Sequence, residues 1–125
     1  MGKFVIKESG KGFSFSLKAG NGEIVAASSR LYPDITGVKA AIAAVAGSAP
    51  DAGIEDQTAG AEELKGAKFE LYSDKAGEFR FRFKDAEGNI LAVSEGYVKK
   101  DSAKNGIDSV RRNAKNSPVV EPVAE

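Results

Sequence analysis

Histidine and cysteine are both absent from this chain of 125 residues, and their absence removes most familiar catalytic pairings before any motif is sought. Without histidine there is no side chain that titrates near neutrality unaided, so Ser–His and Cys–His nucleophilic sets and imidazole metal sites are excluded. Without cysteine there are no disulfides and no thiol chemistry, which fits a reducing compartment. An excess of either charge is missing too. The 18 basic residues balance 18 acidic ones, so no overall field draws the protein towards nucleic acid or an anionic membrane, and any such attraction must be local. Long apolar runs are lacking as well: the longest stretch of small and apolar residues, 40–49, is half of what a membrane span requires. The opening MGKFVIKES places Lys3, Lys7 and Glu8 where a secretory signal would carry its apolar region, and no Ser or Thr stands at the sixth position, as a myristoylation signal needs. The expectation is a soluble cytoplasmic protein with no membrane association and no cofactor.

What is present is one plan written twice. The stretch LKAGNGEIVAASSRLY at residues 17–32 returns as FKDAEGNILAVSEGY at 83–97. With Gly22 set on Gly88, the residues Phe13, Phe15 and Leu17 fall on Phe79, Phe81 and Phe83 at an offset of 66, and further out Phe4 matches Phe69 and Ile42 matches Ile107 at an offset of 65. FSFSL and FRFRF alternate strictly, which places three large apolar groups on one face of a strand. Phe4/Ile6 and Phe69/Leu71 alternate in the same way before them. GNG and AEGN supply the positive-φ positions that tight hairpins require. Each half therefore reads as a three-stranded antiparallel meander.

The period then changes. Val38, Ala41, Ile42 and Val45 share one helical face, as do Ala103, Ile107, Val110 and Ala114, with Asp34 and with Asp101 or Ser102 placed to cap the first free N–H groups. Gly47 and Pro50 are expected to stop the first helix, and the NSP at 116–118 the second. Weak extended segments follow at 54–58 and 119–123, where Pro122 would be tolerated only at an edge. The single domain divides into repeat 1 at 3–58, a connection at 59–66 that has a short surface helix at 61–64 as its alternative, and repeat 2 at 67–123. One sheet with one helix is marginal at about sixty residues. Two copies joined edge to edge share a core.

The F-x-F-x-[LF]-K strand, the NGEI and EGNI hairpins, SEGY and the helix AKNGIDSVRRNA closely resemble the YegP-like family of small bacterial tandem-repeat proteins. The resemblance covers nearly the whole chain, with repeat 2 nearer to the family pattern; repeat 1 departs from it at residues 29–32 and lacks counterparts of Asn105 and Gly106. It implies an α+β fold: two tandem β3-α-β repeats forming one antiparallel sheet, with exchanged last strands and both helices on one face. It implies a monomer, because the tandem repeat replaces the homodimer expected of single-repeat relatives, and it brings no established activity or catalytic residue.

Few residues invite a chemical reading. GKG and GNG lack the spacing of a phosphate loop and join strands, and Asp74, Asp85 and Glu87 are too isolated for a calcium loop. Arg80 and Arg82 alternate with the buried Phe79, Phe81 and Phe83, so both emerge on the face away from the helices, with Lys84, Tyr72, Lys7 and Lys18 on the same side. Basic groups around an aromatic ring can hold a single-stranded nucleic acid by phosphate contacts and stacking. The plainer reading of that face is cross-strand pairing of arginine with Glu70. On the second helix Lys99, Lys100, Lys104, Arg111, Arg112 and Lys115 stand against Asp101 and Asp108, as a solvated, dipole-matched face or a docking surface for an acidic partner. Asn105 and Gly106 point to a close approach of that helix to the sheet, since glycine inside a helix costs about 1 kcal/mol against alanine. The function expected is a non-catalytic binding or protein-interaction module with an unknown protein partner. The alternative is a weak, sequence-tolerant single-stranded nucleic-acid binder.

Overall fold

Each alternating stretch becomes a strand, and each stretch of 3.6-residue periodicity becomes a helix. The computed structural model describes residues 2–60, 62–115 and 117–121. Its strands are β1 (Lys3–Ser9), β2 (Gly12–Lys18), β3 (Ile24–Ser28), β4 (Gly53–Asp56), β5 (Lys68–Ser73), β6 (Phe79–Lys84), β7 (Ile90–Val93) and β8 (Val119–Val120). Helix α1 (Ile35–Ser48) precedes β4, and α2 (Lys100–Ala114) precedes β8. The eight strands form one sheet in the order β4-β5-β6-β7-β3-β2-β1-β8. Of the two weak extended segments, the first shortens to β4; the second contributes β8, while Pro122 and Val123 lie outside the described residues.

The sheet is mixed, not wholly antiparallel. The two meanders pair antiparallel internally and meet through β3 and β7, but β4 runs parallel to β5 and β8 runs parallel to β1. The strand that follows each helix thus lies against the first strand of the other repeat. Parallel neighbours need a crossover of about a dozen residues, and the connection at 57–67 supplies one for β4 and β5. It contains no helix among its described residues. Ala61, the first residue of the alternative helix, lies outside them.

Both helices lie over the face that carries Phe4, Ile6, Phe15 and Leu17 from one repeat and Phe69, Leu71, Phe81 and Phe83 from the other. All eight are buried in a single cluster with Val38, Ile42 and Val45 of α1 and Ile107 and Val110 of α2. Equivalent ring pairs recur: Phe4 and Phe15 meet edge to face at 6.1 Å, and so do Phe69 and Phe81. Each such pair adds about 0.5–1.5 kcal/mol to simple burial.

The helix ends differ from their sequence signals in three places. Asp34 caps α1 as its position demands, accepting from the Gly37 N–H at 2.7 Å. Its counterpart in the repeat is Lys99, which precedes α2 with no side-chain cap, so neither Asp101 nor Ser102 serves that role. Asp101 falls inside the first turn instead. Gly47 is helical and lies within α1, which ends at Ser48 before a 3-10 turn, Ala49–Asp51, that holds Pro50. Ala49 keeps helical dihedrals and still donates to the Val45 carbonyl, but Pro50 has no N–H with which to continue the ladder, and the helix ends there. The second helix ends at Ala114, ahead of the NSP signal, whose Asn116 lies outside the described residues.

Gly106 sits where α2 comes nearest the sheet. A Cβ at that position would lie 2.7 Å from the Tyr97 hydroxyl and 2.9 Å from Phe81 Cε2. Packing, not backbone conformation, requires glycine here. No helix among the described residues is long and apolar enough to cross a membrane.

Candidate functional site

The face away from the helices is organised by strand register. One row of directly opposed residues crosses all eight strands: Val120, Val5, Ser16, Ala27, Val93, Arg82, Glu70 and Glu55. Its two halves correspond through the repeat, yet their chemistry differs. The half built on β1 and β2, the repeat 1 face, has Val5 and Ser16 of its own with Val120 lent by repeat 2, where the half built on β5 and β6, the repeat 2 face, has Glu70 and Arg82 of its own with Glu55 lent by repeat 1. Beside the row, Lys3 stands opposite Lys18 in one half and Lys68 opposite Lys84 in the other.

In the second half the charges close on one another. Arg82 donates to Glu70 at 2.6 Å, and Lys84 and Lys68 approach the same carboxylate at 3.2 and 3.5 Å. Lys68 also donates to Glu55 at 2.7 Å and to the Leu64 carbonyl at 2.9 Å. The Leu64 N–H and the Gln57 amide complete the set of donors to Glu55. Glu55, Lys68 and Glu70 are all buried, on a face that the sequence leaves open. The cover is the connection between repeats, whose Leu64 folds back over Gly53 and Glu55. The connection therefore covers the helix-free face over β4 and β5 and leaves it without that cover over β1 and β8, where Ser16 is buried but Val120 and Lys3 are exposed.

Electrostatics follow this geometry. The hydrogen bond from Lys68, aided by those from Gln57 and Leu64, holds the Glu55 carboxyl down at about 2. Burial alone would raise Glu70, but Arg82 and Lys84 outweigh it and keep its carboxyl below the usual range. Glu55 in turn holds the Lys68 ammonium above its ordinary value. Asp56 behaves like Glu70: burial opposes ionisation, and Lys100 at 2.6 Å together with Thr58 brings its carboxyl to about 2.

The six residues singled out in the sequence do share this face, but not one site. Arg80 is paired with Asp74 at 2.6 Å, and Arg82 lies 4.6 Å over the Tyr72 ring while it binds Glu70. With Lys84, these residues belong to β5 and β6. Lys18 on β2 is three strands away from β6 and Lys7 on β1 is four, which is about 14 and 19 Å at the usual strand spacing. Among the described residues no carboxylate stands within 4.0 Å of Lys3, Lys7 or Lys18.

The basic side of α2 is also less free than a solvated face. Arg111 donates to the Ala52 carbonyl at 2.5 Å, pairs with Asp108 and lies 5.6 Å from the Phe69 ring centre. Lys100 is engaged by Asp56 of the opposite repeat, and Lys39 of α1 pairs likewise with Glu121. These cations tie each helix to the strand that follows the other one.

Two depressions flank the ionic cluster and α1. One, of about 310 Å³, lies between residues 63–66 and the hairpin at 84–88. The other, of about 240 Å³, lies between the alanine side of α1 and the same hairpin, beside Arg30 and Tyr32. Among the described residues no group of three His, Cys, Asp or Glu is placed to hold a metal ion.

Sequence reasoning missed Glu55 and Lys68. Their one signal was the correspondence Glu55/Val120 and Lys68/Lys3, legible only once the short last strands are placed.

The chain matches the family described as "Domain of unknown function (DUF1508)" twice, over residues 8–56 and 74–121. A UPF0339 protein of Bordetella pertussis is 32% identical over 117 residues, covering 94% of this chain and 92% of that protein. A UPF0339 protein of Treponema denticola is 50% identical over 54 residues, which is 43% of this chain but 93% of that relative. That relative has the length of a single repeat. The solution structure of the protein of unknown function yegP from E. coli superposes with a TM-score of 0.79 at 29% identity, covering 99% of this chain and 96% of that one. That of a UPF0339 protein from Shewanella oneidensis gives 0.78 at 26% identity, with 96% and 90% covered.

Proposed function

This chain belongs to the DUF1508 family, in which no activity is assigned, and from that premise we propose that it is a non-catalytic binding or protein-interaction module. The observation that carries this reading is the state of its buried and half-buried carboxylates. Glu55, Asp56 and Glu70 are each held ionised by a cation at close range. A general acid or base for work near neutrality needs the opposite tuning, a carboxyl pushed up towards the working pH. The ionic cluster is built to hold β4, β5 and the connection together.

The nucleic-acid reading draws less support. Its cations Arg80, Arg82 and Lys84 already have carboxylate partners, and the Tyr72 ring is occupied by Arg82. A cytoplasmic monomer remains part of the proposal. The absence of cysteine fits a reducing compartment, and within one chain each repeat offers the other the strand that single-repeat chains would have to take from a second copy.

Titration of labelled single-stranded DNA and RNA at two salt concentrations, alongside capture of proteins from nuclease-treated lysate, tests the choice. Expected are no salt-sensitive nucleic-acid binding and a protein partner that binds again in purified form. Salt-sensitive binding lost in an Arg80→Ala/Arg82→Ala variant would reverse the reading.

A further inference from the structure

The two halves of the helix-free face pose the same electrostatic problem and solve it differently. Lysines stand directly opposite each other across β1 and β2 (Lys3 and Lys18) and across β5 and β6 (Lys68 and Lys84). Like charges so placed destabilise a sheet. On the repeat 2 face the cost is removed by carboxylates of the chain: Glu70 lies 3.5 Å from Lys68 and 3.2 Å from Lys84, and Glu55, on the strand lent by repeat 1, lies 2.7 Å from Lys68. On the repeat 1 face the positions of Glu70 and Glu55 in the cross-sheet row are taken by Val5 and by Val120 of the exchanged strand β8. The lysine pair is kept while its carboxylates are gone. Lys7 adds a third cation on the same side, at the position that Tyr72 holds in the other repeat.

Cover follows the same asymmetry. The connection that seals the repeat 2 face brings a leucine and backbone polar groups onto the β4 edge. On the repeat 1 face Val120 is 39% exposed, and Ile24, beside Lys18, is 44% exposed. The open half thus offers an apolar strip flanked by cations that have no carboxylate partner among the described residues.

We propose that the repeat 1 face binds an acidic polypeptide segment. Its carboxylates take, against Lys3 and Lys18, the places that Glu70 and Glu55 hold against Lys68 and Lys84, and an apolar side chain of the segment rests on Val5 and Val120. This rests on the reading of the protein as a binding module and supplies the chemistry of its partner. A peptide fits better than a nucleic acid here because, among the described residues, this half of the face carries no aromatic ring on which a base could stack. Phe4 and Phe15 point into the core on the other side.

The probe is a synthetic peptide alternating glutamate with valine, with a glutamine-for-glutamate copy and oligothymidine as comparisons. Binding to the full-length protein is followed by amide chemical-shift mapping at two salt concentrations. The expected result is salt-sensitive binding of the glutamate peptide alone, with shifts centred on Lys3, Val5, Lys18 and Val120. Lys3→Gln/Lys18→Gln should weaken it at least tenfold. Val5→Glu, which restores the carboxylate that repeat 2 has in Glu70, should abolish binding while leaving the melting temperature unchanged or higher. Peptide binding that maps to α2 or to Arg80 and Lys84 overturns this inference and leaves the module reading standing. Oligothymidine bound through the same lysines more tightly than the peptide overturns the choice of partner. Failure of the glutamate peptide to bind, in a chain that captures a purified partner elsewhere, overturns the inference alone; failure of every ligand and partner overturns both readings.

Discussion

The Tyr97 ring lies nearly parallel to the Phe81 ring, with 13° between their planes and 6.3 Å between their centres, and its hydroxyl reaches the place where a Cβ on Gly106 would be. Helix, tyrosine and sheet are stacked in contact, and burial raises the pKa of the Tyr97 hydroxyl, with Glu95 and Glu23 adding to the effect.

Gly106→Ala is therefore predicted to destabilise the protein. Overpacking costs about 1–3 kcal/mol, against the roughly 1 kcal/mol that alanine's helix preference returns. Adding Tyr97→Phe should recover part of the loss, because it removes the atom nearest the new methyl. Gly47→Ala, at a helical position with open space around its Cβ direction, should instead stabilise by up to about 1 kcal/mol. Urea titration of the three variants decides it, and equal effects at the two glycines would refute the packing argument.

Breaking the buried pair should cost much more than trimming a surface charge. Lys68→Met leaves Glu55 and Glu70 without their shared cation, and removal of one partner from a buried pair costs about 3–5 kcal/mol. Arg112→Met, at an exposed position of α2, should change stability by less than about 0.5 kcal/mol. Denaturant midpoints for both variants give the comparison.

Acid should act through the same carboxylates. Glu55 is lowered from 4.5 to about 2 and Asp56 from 3.8 to about 2 in the folded protein. With folded values depressed, the unfolded chain takes up protons first, so the stabilisation is complete above the unfolded values and is lost as pH falls towards about 2. Stability should thus be level above about pH 6 and decline steeply from about pH 5 to pH 2. Lys68→Met should flatten that decline, since it removes the main cause of the Glu55 shift. An unchanged slope in the variant would assign the acid sensitivity to other groups.

The uncapped helix offers a gain. Lys99 corresponds to Asp34, and Lys99→Asp should give α2 the hydrogen bond that α1 already has, stabilising by about 1 kcal/mol. Asp34→Ala should cost a similar amount. Thermal melts of the two single variants, moving in opposite directions, would confirm the correspondence between the helix starts.

How much of this was legible follows from the length and period of each segment. FSFSL and FRFRF repeat the two-residue period long enough to place Phe15, Leu17, Phe81 and Phe83 in the core, and a glycine amid AKNGIDSV marks a close approach. The buried cluster was hidden for a different reason. Glu55 sits in a four-residue strand with no periodic signal, its neighbour Glu70 comes from the other repeat, and its cover is a glycine- and alanine-rich connection that reads as exposed. The pairing of Arg82 with Glu70 could be read across one hairpin, whereas Lys68 with Glu55 needed the parallel neighbour. Gly47 misled because a glycine late in a helical pattern reads as a stop, although only Pro50 imposes one.

The placement of β8 also has a consequence for how the protein is made. The Phe4 N–H donates to the Pro118 carbonyl at 2.9 Å, so β1 is sealed by a segment translated only after the helix of the second repeat. Until then its backbone edge is open and able to pair with another nascent chain. Completion runs backwards relative to manufacture: β5 finds β4 already waiting, while β1 must stay unsealed through translation of the entire second repeat. Crowded polysomes, more than the finished molecule, are where this architecture is exposed to domain swapping.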